Sequence, residues 1–413
     1  VNFLKRFMNF LVVAAATAEL FLSAVLATAD YFTPNTYTVT QGGKLEWFSG
    51  AFTVVGESGS NVYASSSGSM PQSYKGTLMF YNHIPVKSVD VNVVDKTCVI
   101  PCGTPFGIKL YANGVVIVGF NDVDTVSGAV NPAKEAGLDI GDVISSVNGK
   151  KVVTNDGLAG ALEGCKGKDV TLTVKRESKY FSVLLRPVRS QADNTYKAGL
   201  WVRDSTAGIG TLTFYNPYTK GFAGLGHGIC DSDTQEIMPL LSGEIVPVTI
   251  NGITKGQSGS PGELRGYFTS DKVIGNLTEN IQDGVYGSFN YRPEGAAVKI
   301  GMKQDVKTGP VKILTTISGD KPSYYDAYIE KVDYRDGVKS KNIVLHITDQ
   351  KLLAQTGGIV QGMSGSPIIQ NNMLVGAVTH VFINDPTRGY GVFAENMLAE
   401  SQSVGSYVNS KAS

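Results

Sequence analysis

The sequence predicts a mainly β protein of two or three domains behind an apolar N-terminal helix. Three observations predict it. The chain has 413 residues, room for two or three domains at about 150 residues each. Its 48 glycines punctuate short runs rich in Val, Thr and Ser, the composition of strands and turns and not of a helical bundle. A mostly apolar stretch over 7–29 follows Lys5 and Arg6. The hydrophobic fraction of 42% excludes a disordered chain. Lys and Arg total 36, as do Asp and Glu. This zero balance argues against a nucleic-acid partner, which would need a basic face.

The first element, 1–29, has the outline of a secretory signal: a basic start, an apolar centre, and small residues at Ala27-Thr28-Ala29 before Asp30. The stretch is also about long enough to span a bilayer, with Glu19 as a costly interruption. Either way the remainder is expected outside the cytoplasm, with the membrane reached through this segment. Four cysteines (98, 102, 165, 230) contain no CxxC pair, so no metal site is expected. They allow three disulfide pairings, and unpaired apolar thiols are an equal alternative.

The region 30–99 reads as linker and short strands. Ser/Gly tracts at 56–60 and 65–69 are loop-like, and Val89 to Val93 alternates as a strand. Over 100–189 the order is more definite. Strands are predicted at 107–110 and 115–118, and a short helix over 131–138 that stops at Gly137. A strand then runs from Val143 into an Asn148-Gly149 hairpin turn. A helix over 158–162 and a strand over 170–174 follow. The string Ala136 to Gly149, reading A-G-L-x-x-G-D-x-I-x-x-V-N-G, resembles bacterial PDZ domains, which capture extended peptides along a sheet edge.

From 190 to 413, short glycine-punctuated strands predict a two-barrel body. One hexamer occurs twice in imperfect form, as Gly256-Gln-Ser-Gly-Ser-Pro261 and as Gly362-Met-Ser-Gly-Ser-Pro367. A nucleophilic serine needs a tight turn that exposes its hydroxyl and aims backbone N–H groups at a developing oxyanion. The second hexamer, followed by a strand, a turn and a returning strand, resembles the G-x-S-G-G-P loop of trypsin-like serine proteases, with Ser366 in place of the second Gly. That resemblance makes Ser364 the nucleophile and the N–H groups of Gly362 and Ser364 the oxyanion hole. Met363 stands where trypsin carries the acid that binds a freed N-terminus, so activation by that ion pair is not available.

A serine hydroxyl also needs a base. Of His83, His227, His346 and His380, only His227 sits in a glycine-flanked loop, Gly224-Leu-Gly-His-Gly228. His83 reads as a surface residue, and His346 and His380 read as structural members of strands. An orienting carboxylate completes such a site. Spacing leaves Asp349 and Asp231 both open.

The PDZ string, the G-L-G-H-G-I-C-D loop and the run Thr356 to Gln370 together resemble the SpoIVB peptidases of endospore-forming Firmicutes. That resemblance implies a triad of His227, Asp349 and Ser364, and it leaves the Ser258 hexamer without a catalytic role. It also implies an enzyme without cofactor or metal, exported across the forespore membrane into the intermembrane space. Its expected activities are cleavage of a membrane-bound regulator that controls a mother-cell sigma factor, and self-cleavage under PDZ control.

Overall fold

An apolar helix, Asn2–Phe32, opens the chain. In the computed structural model, residues 2–40, 45–47, 50–56 and 73–411 are described. The helix runs without a break through Ala27-Thr28-Ala29, so the expected cleavage site lies inside it. Its segment Lys5–Phe32 is long and apolar enough to cross a membrane. Its end is tied to the next domain. Lys87 Nζ donates to Asp30 O and Thr33 O, each at 2.8 Å, and Ala29 joins the core formed by Tyr37, Trp47, Leu78 and Val91.

That core belongs to a five-stranded sheet in the spatial order Thr36–Thr40, Ile84–Val94, Ser73–Phe80, Phe52–Gly56, Glu46–Trp47. The region 30–99 is therefore more than a linker. Alternating burial along Thr36–Thr40 and over 88–94 shows why: every second side chain there is apolar and faces one core. The Ser/Gly tracts at 57–60 and 65–69 lie outside the described residues.

The PDZ unit folds much as its turn residues dictate. Asn131 caps the short helix Pro132–Glu135 by accepting from Lys134 N, and proline occupies the first turn. Thr154 caps Asn155–Gly164 in the same way. Asn148 and Gly149 both adopt positive φ (51° and 75°), as a two-residue hairpin turn requires. The strands Val143–Val147, Val170–Arg176 and Lys179–Leu185 share a core with these helices.

The boundary expected at 99/100 is not what the strand pairing shows. The two short strands expected at 107–110 and 115–118 are one strand, Pro105–Phe120. Its first half pairs with Leu200–Tyr215 and with Leu240–Thr254, while Val115 and Val116 pair with the PDZ strand Val143–Val147. The PDZ unit is thus inserted between two neighbouring strands of a β body, and the strand Cys98–Pro101 also belongs to that body. Local sequence could not reveal this, because one 16-residue strand serves both units.

Two hydrophobic cores divide the rest. The first gathers Ile108, Leu110, Leu212, Phe222, Ile245 and Val285. The second gathers Ile313, Ile329, Leu345, Met363, Ile368 and Val378. The strands Gly221–Gly224, Gly275–Ile281 and Gly284–Phe289 complete the first body. Gly309–Thr315, Ser323–Val332, Ile343–Ile347, Pro367–Gln370, Met373–Phe382 and Asp385–Phe393 form the second. A closing helix, Ala394–Lys411, packs Ala394, Met397 and Leu398 against both. The cleft between the two bodies holds the candidate site.

Candidate active site

The second hexamer forms a tight turn ahead of the hairpin Pro367–Gln370 and Met373–Phe382. Gly362 and Gly365 both take positive φ, 94° and 96°, which glycine adopts without a Cβ penalty. A Cβ on Gly365 would lie 1.9 Å from Thr211 O and 2.6 Å from Leu225 N, so no side chain fits there. The strand Leu200–Tyr215 of the first body grips this turn. Thr211 Oγ1 donates to Gly362 O at 2.7 Å, and Thr213 Oγ1 donates to Gly365 O at 2.8 Å. Thr211 N donates to Ser364 O at 3.1 Å. Ser366 Oγ is buried and bonds Met363 O (2.6 Å) and Thr315 Oγ1 (2.9 Å), so the serine in place of the second glycine ties the turn to its own core.

This grip leaves two donors vacant. Met363 N–H donates to Val360 O at 3.1 Å. Among the described residues, the N–H groups on either side of it, at Gly362 and Ser364, meet no protein acceptor. A pair of preorganised, unsatisfied N–H groups beside a hydroxyl is the arrangement an oxyanion hole requires. Ser364 Oγ donates to Thr379 O at 2.6 Å.

His227 leaves the strand Gly221–Gly224 through Leu225 and Gly226, both at positive φ (64° and 69°). Its Nδ1 is 2.9 Å from Gly228 O. A carbonyl only accepts, so Nδ1 carries the proton and Nε2 keeps its lone pair. Burial lowers the His227 pKa below its ordinary value, and the Gly228 bond opposes this only in part. The imidazole is therefore neutral, the form a general base needs.

Ser364 and His227 line one cleft of about 660 Å³. Its walls include Ile108, Ile209, Ile359 and Val381, and no Asp, Glu, Lys or Arg side chain lines it among the described residues. Cys230 also reaches it; the residue is exposed overall, and partial desolvation raises the pKa of its thiol. Cys98, Cys102, Cys165 and Cys230 are all free thiols. Among the described residues no cluster of three His, Cys, Asp or Glu side chains could hold a metal.

Neither candidate carboxylate is bonded to His227. Asp349 is the N-cap of the helix Gln350–Thr356, accepting from Leu352 N at 2.9 Å and from Asp326 N at 3.3 Å. It does not line the cleft. Asp231 is buried against Arg203 and accepts from Asp233 N and Thr234 N at 2.9 and 3.0 Å. Its desolvation is outweighed by these donors and by Arg203, which hold its pKa below the usual range.

Of the first hexamer, Pro261 lines the cleft and Ser258 does not. Ser258 is exposed and its Oγ donates to Asn384 O at 2.9 Å. The segment after it has a supporting role: Gln361 N donates to Gly262 O and Leu264 N to Gln361 O, both at 2.8 Å, which fixes the approach to Gly362.

One residue in the cleft was missed. His380, read as structural, places its ring centroid 5.0 Å from that of His227, tilted by 38°. The signal was in the hairpin register. Pro367 pairs with Ala377, so Thr379 and His380 must lie alongside Ser364.

Comparison with known proteins decides the family. Residues 194–398 match the SpoIVB peptidase S55 family, and residues 126–176 match a PDZ domain. Residues 194–398 belong to the SpoIVB peptidase family. A PDZ unit accompanies this peptidase-family region. The chain also shares 32% identity over 95 residues with the Lactococcus lactis subsp. lactis protein LL2128, whose name assigns it to the zinc metalloproteases. That match covers 23% of the chain and only 20% of the relative. Among solved structures, the Rv3671c protease of M. tuberculosis is similar in its active form (15% identity, TM-score 0.30, 48% of this chain and 74% of that one). Its inactive form gives 16% identity and a TM-score of 0.28, over 48% and 84%. These TM-scores mark a weak overall superposition.

Proposed function

We propose that this chain is an exported serine endopeptidase that cleaves a membrane-bound regulatory protein during sporulation, and that it acts between the forespore and mother-cell membranes. The observation that carries the chemistry is the pair of vacant N–H groups at Gly362 and Ser364, in one cleft with the Ser364 hydroxyl and a neutral His227. The signalling role, sigma-factor activation, self-cleavage and PDZ control rest on the family resemblance. An apolar helix able to cross a membrane fits export and anchoring.

The reaction is acyl transfer. Ser364 Oγ turns from Thr379 O and attacks a peptide carbonyl as its proton passes to His227 Nε2. The oxyanion is held by the Gly362 and Ser364 N–H groups, each such donor being worth about 10²–10³ in rate. The imidazolium then gives its proton to the leaving amine. Water attacks the acyl-enzyme with His227 as base again. The family resemblance gives Asp349 the orienting role; to fill it, Asp349 would have to leave its helix cap. A cleft walled by aliphatic side chains favours an apolar residue next to the scissile bond.

Covalent labelling with a fluorophosphonate, followed by peptide mapping, tests this reading. The label is expected on Ser364 and absent from Ser364→Ala. Label on Ser258 would move the nucleophile to the first hexamer. No label on wild type would leave a PDZ scaffold with an inactive protease-like body.

A further inference from the structure

The structure brings one titratable side chain against the candidate base, and it is not a carboxylate. His380 and His227 lie ring to ring, with centroids 5.0 Å apart. Both line the cleft that holds Ser364. His380 directly follows Thr379, whose carbonyl accepts the Ser364 hydroxyl at 2.6 Å. Its backbone is held in place by the neighbouring strand. A Cβ on Gly389 would meet His380 O at 2.5 Å, so a glycine there lets the two strands close up, and Val381 pairs with that same glycine.

We propose that His380 is a positioning residue for the base: its ring covers His227 on the cleft side, keeps water from that imidazole and limits its rotation. This rests on the serine peptidase reading above. Two further observations support it. First, Gly228 O already fixes the tautomer by bonding Nδ1, so what the imidazole lacks is a wall, and an aromatic ring at this distance supplies one. Second, desolvation inside the cleft, the His227 ring and Lys341 together lower the pKa of His380 to about 4, although the residue as a whole is exposed. His380 is therefore neutral wherever the base works and adds no repelling charge. The titratable or charged groups around the pair are Lys341, whose Nζ lies 5.3 Å from the Tyr390 ring centroid, and the protonated Cys230 thiol. None of them is a proton acceptor for His227.

The test compares fluorophosphonate labelling rates across pH for the full chain carrying His380→Ala or His380→Phe, with wild type and Ser364→Ala as references. His380→Ala is expected to slow labelling about 10- to 100-fold, the scale of a misplaced reacting group. It should also move the acidic limb of the profile upward, because a hydrated His227 returns toward its ordinary pKa. A purely structural role would not move that limb. His380→Phe restores the ring and is expected to recover most of the rate, with the limb at its wild-type position. Two outcomes overturn the proposal while leaving the peptidase reading intact: His380→Ala matching wild type in rate and limb, or a folded His380→Phe as slow as His380→Ala. A wild-type chain that takes no label on Ser364 removes both together. Thermal melting of each variant confirms that it is folded.

Discussion

The two hexamers, 256–261 and 362–367, share the frame Gly-Xaa-Ser-Gly-Ser-Pro and little else. Gly259 and Gly365 both adopt positive φ, 80° and 96°. A Cβ on Gly259 would meet nothing within 4 Å, whereas one on Gly365 would strike Thr211 O at 1.9 Å. Ser258 faces solvent and bonds a loop carbonyl. Ser364 sits in a cleft with two imidazoles. The frame therefore specifies a turn. The proposed chemistry rests on what closes around the turn: a strand from the other body, two vacant N–H groups and a neutral imidazole.

The sharpest way to break this comparison is to remove each hydroxyl. Ser364→Ala should lower peptide hydrolysis about 10⁴-fold or more, while Ser258→Ala leaves turnover at its wild-type rate and shifts stability by about 0.5 kcal/mol or less. Equal losses in a peptide-cleavage assay would show that the hexamers act together. Adding a methyl group to each turn comes next. Gly365→Ala should cost about 4 kcal/mol or more by displacing the Thr211 strand. Gly259→Ala should cost only the about 1–2 kcal/mol of a left-handed non-glycine residue. Chemical denaturation of both variants measures the gap.

A smaller effect tests the carboxylate. Asp349→Ala removes a helix cap and should lower stability by about 1 kcal/mol, and Asp349→Asn should recover it, since Asn caps as well as Asp. If Asp349→Asn melts like wild type yet loses hydrolysis, the charge itself is needed, as a triad member requires.

The last effect is electrostatic and appears only at acidic pH. His227 and His380 titrate below their ordinary value of 6.5, His380 at about 4, with desolvation the main cause for both. The unfolded chain therefore binds protons first as pH falls, and stability that is full above 6.5 drains away between about 6.5 and 4. His380→Phe should flatten that decline in melting temperature. An unchanged slope would mean that His380 is not shielded as described.

How much of this was legible follows from range in sequence. Asn148-Gly149, Asn131-Pro132 and Thr154 announce their turns and caps locally, so the PDZ elements could be read. So could the tight turn around Ser364 and the glycine-flanked loop of His227. Asp349 stands directly before Gln350-Lys-Leu-Leu353, a helix start that spacing alone could have marked as a cap. The insertion of the PDZ unit could not be read, because pairing of residue 109 with 207 and 244 leaves no local trace. His380 was hidden by its strand. Alternation says that a side chain faces outward, not that the outward face is a cleft.

The pairing of Pro105–Phe120 with Leu200–Tyr215 has a mechanical consequence. These two 16-residue strands form one ribbon. At one end it is stitched to the PDZ sheet through Val115 and Val116. At the other, Thr211 and Thr213 hold the carbonyls of Gly362 and Gly365. The two units share a beam where a flexible tether would let them drift apart. A load applied at the PDZ end would travel along this ribbon, across the bulge between Arg203 and Ser205, and reach the serine turn through the Thr211 and Thr213 hydroxyls.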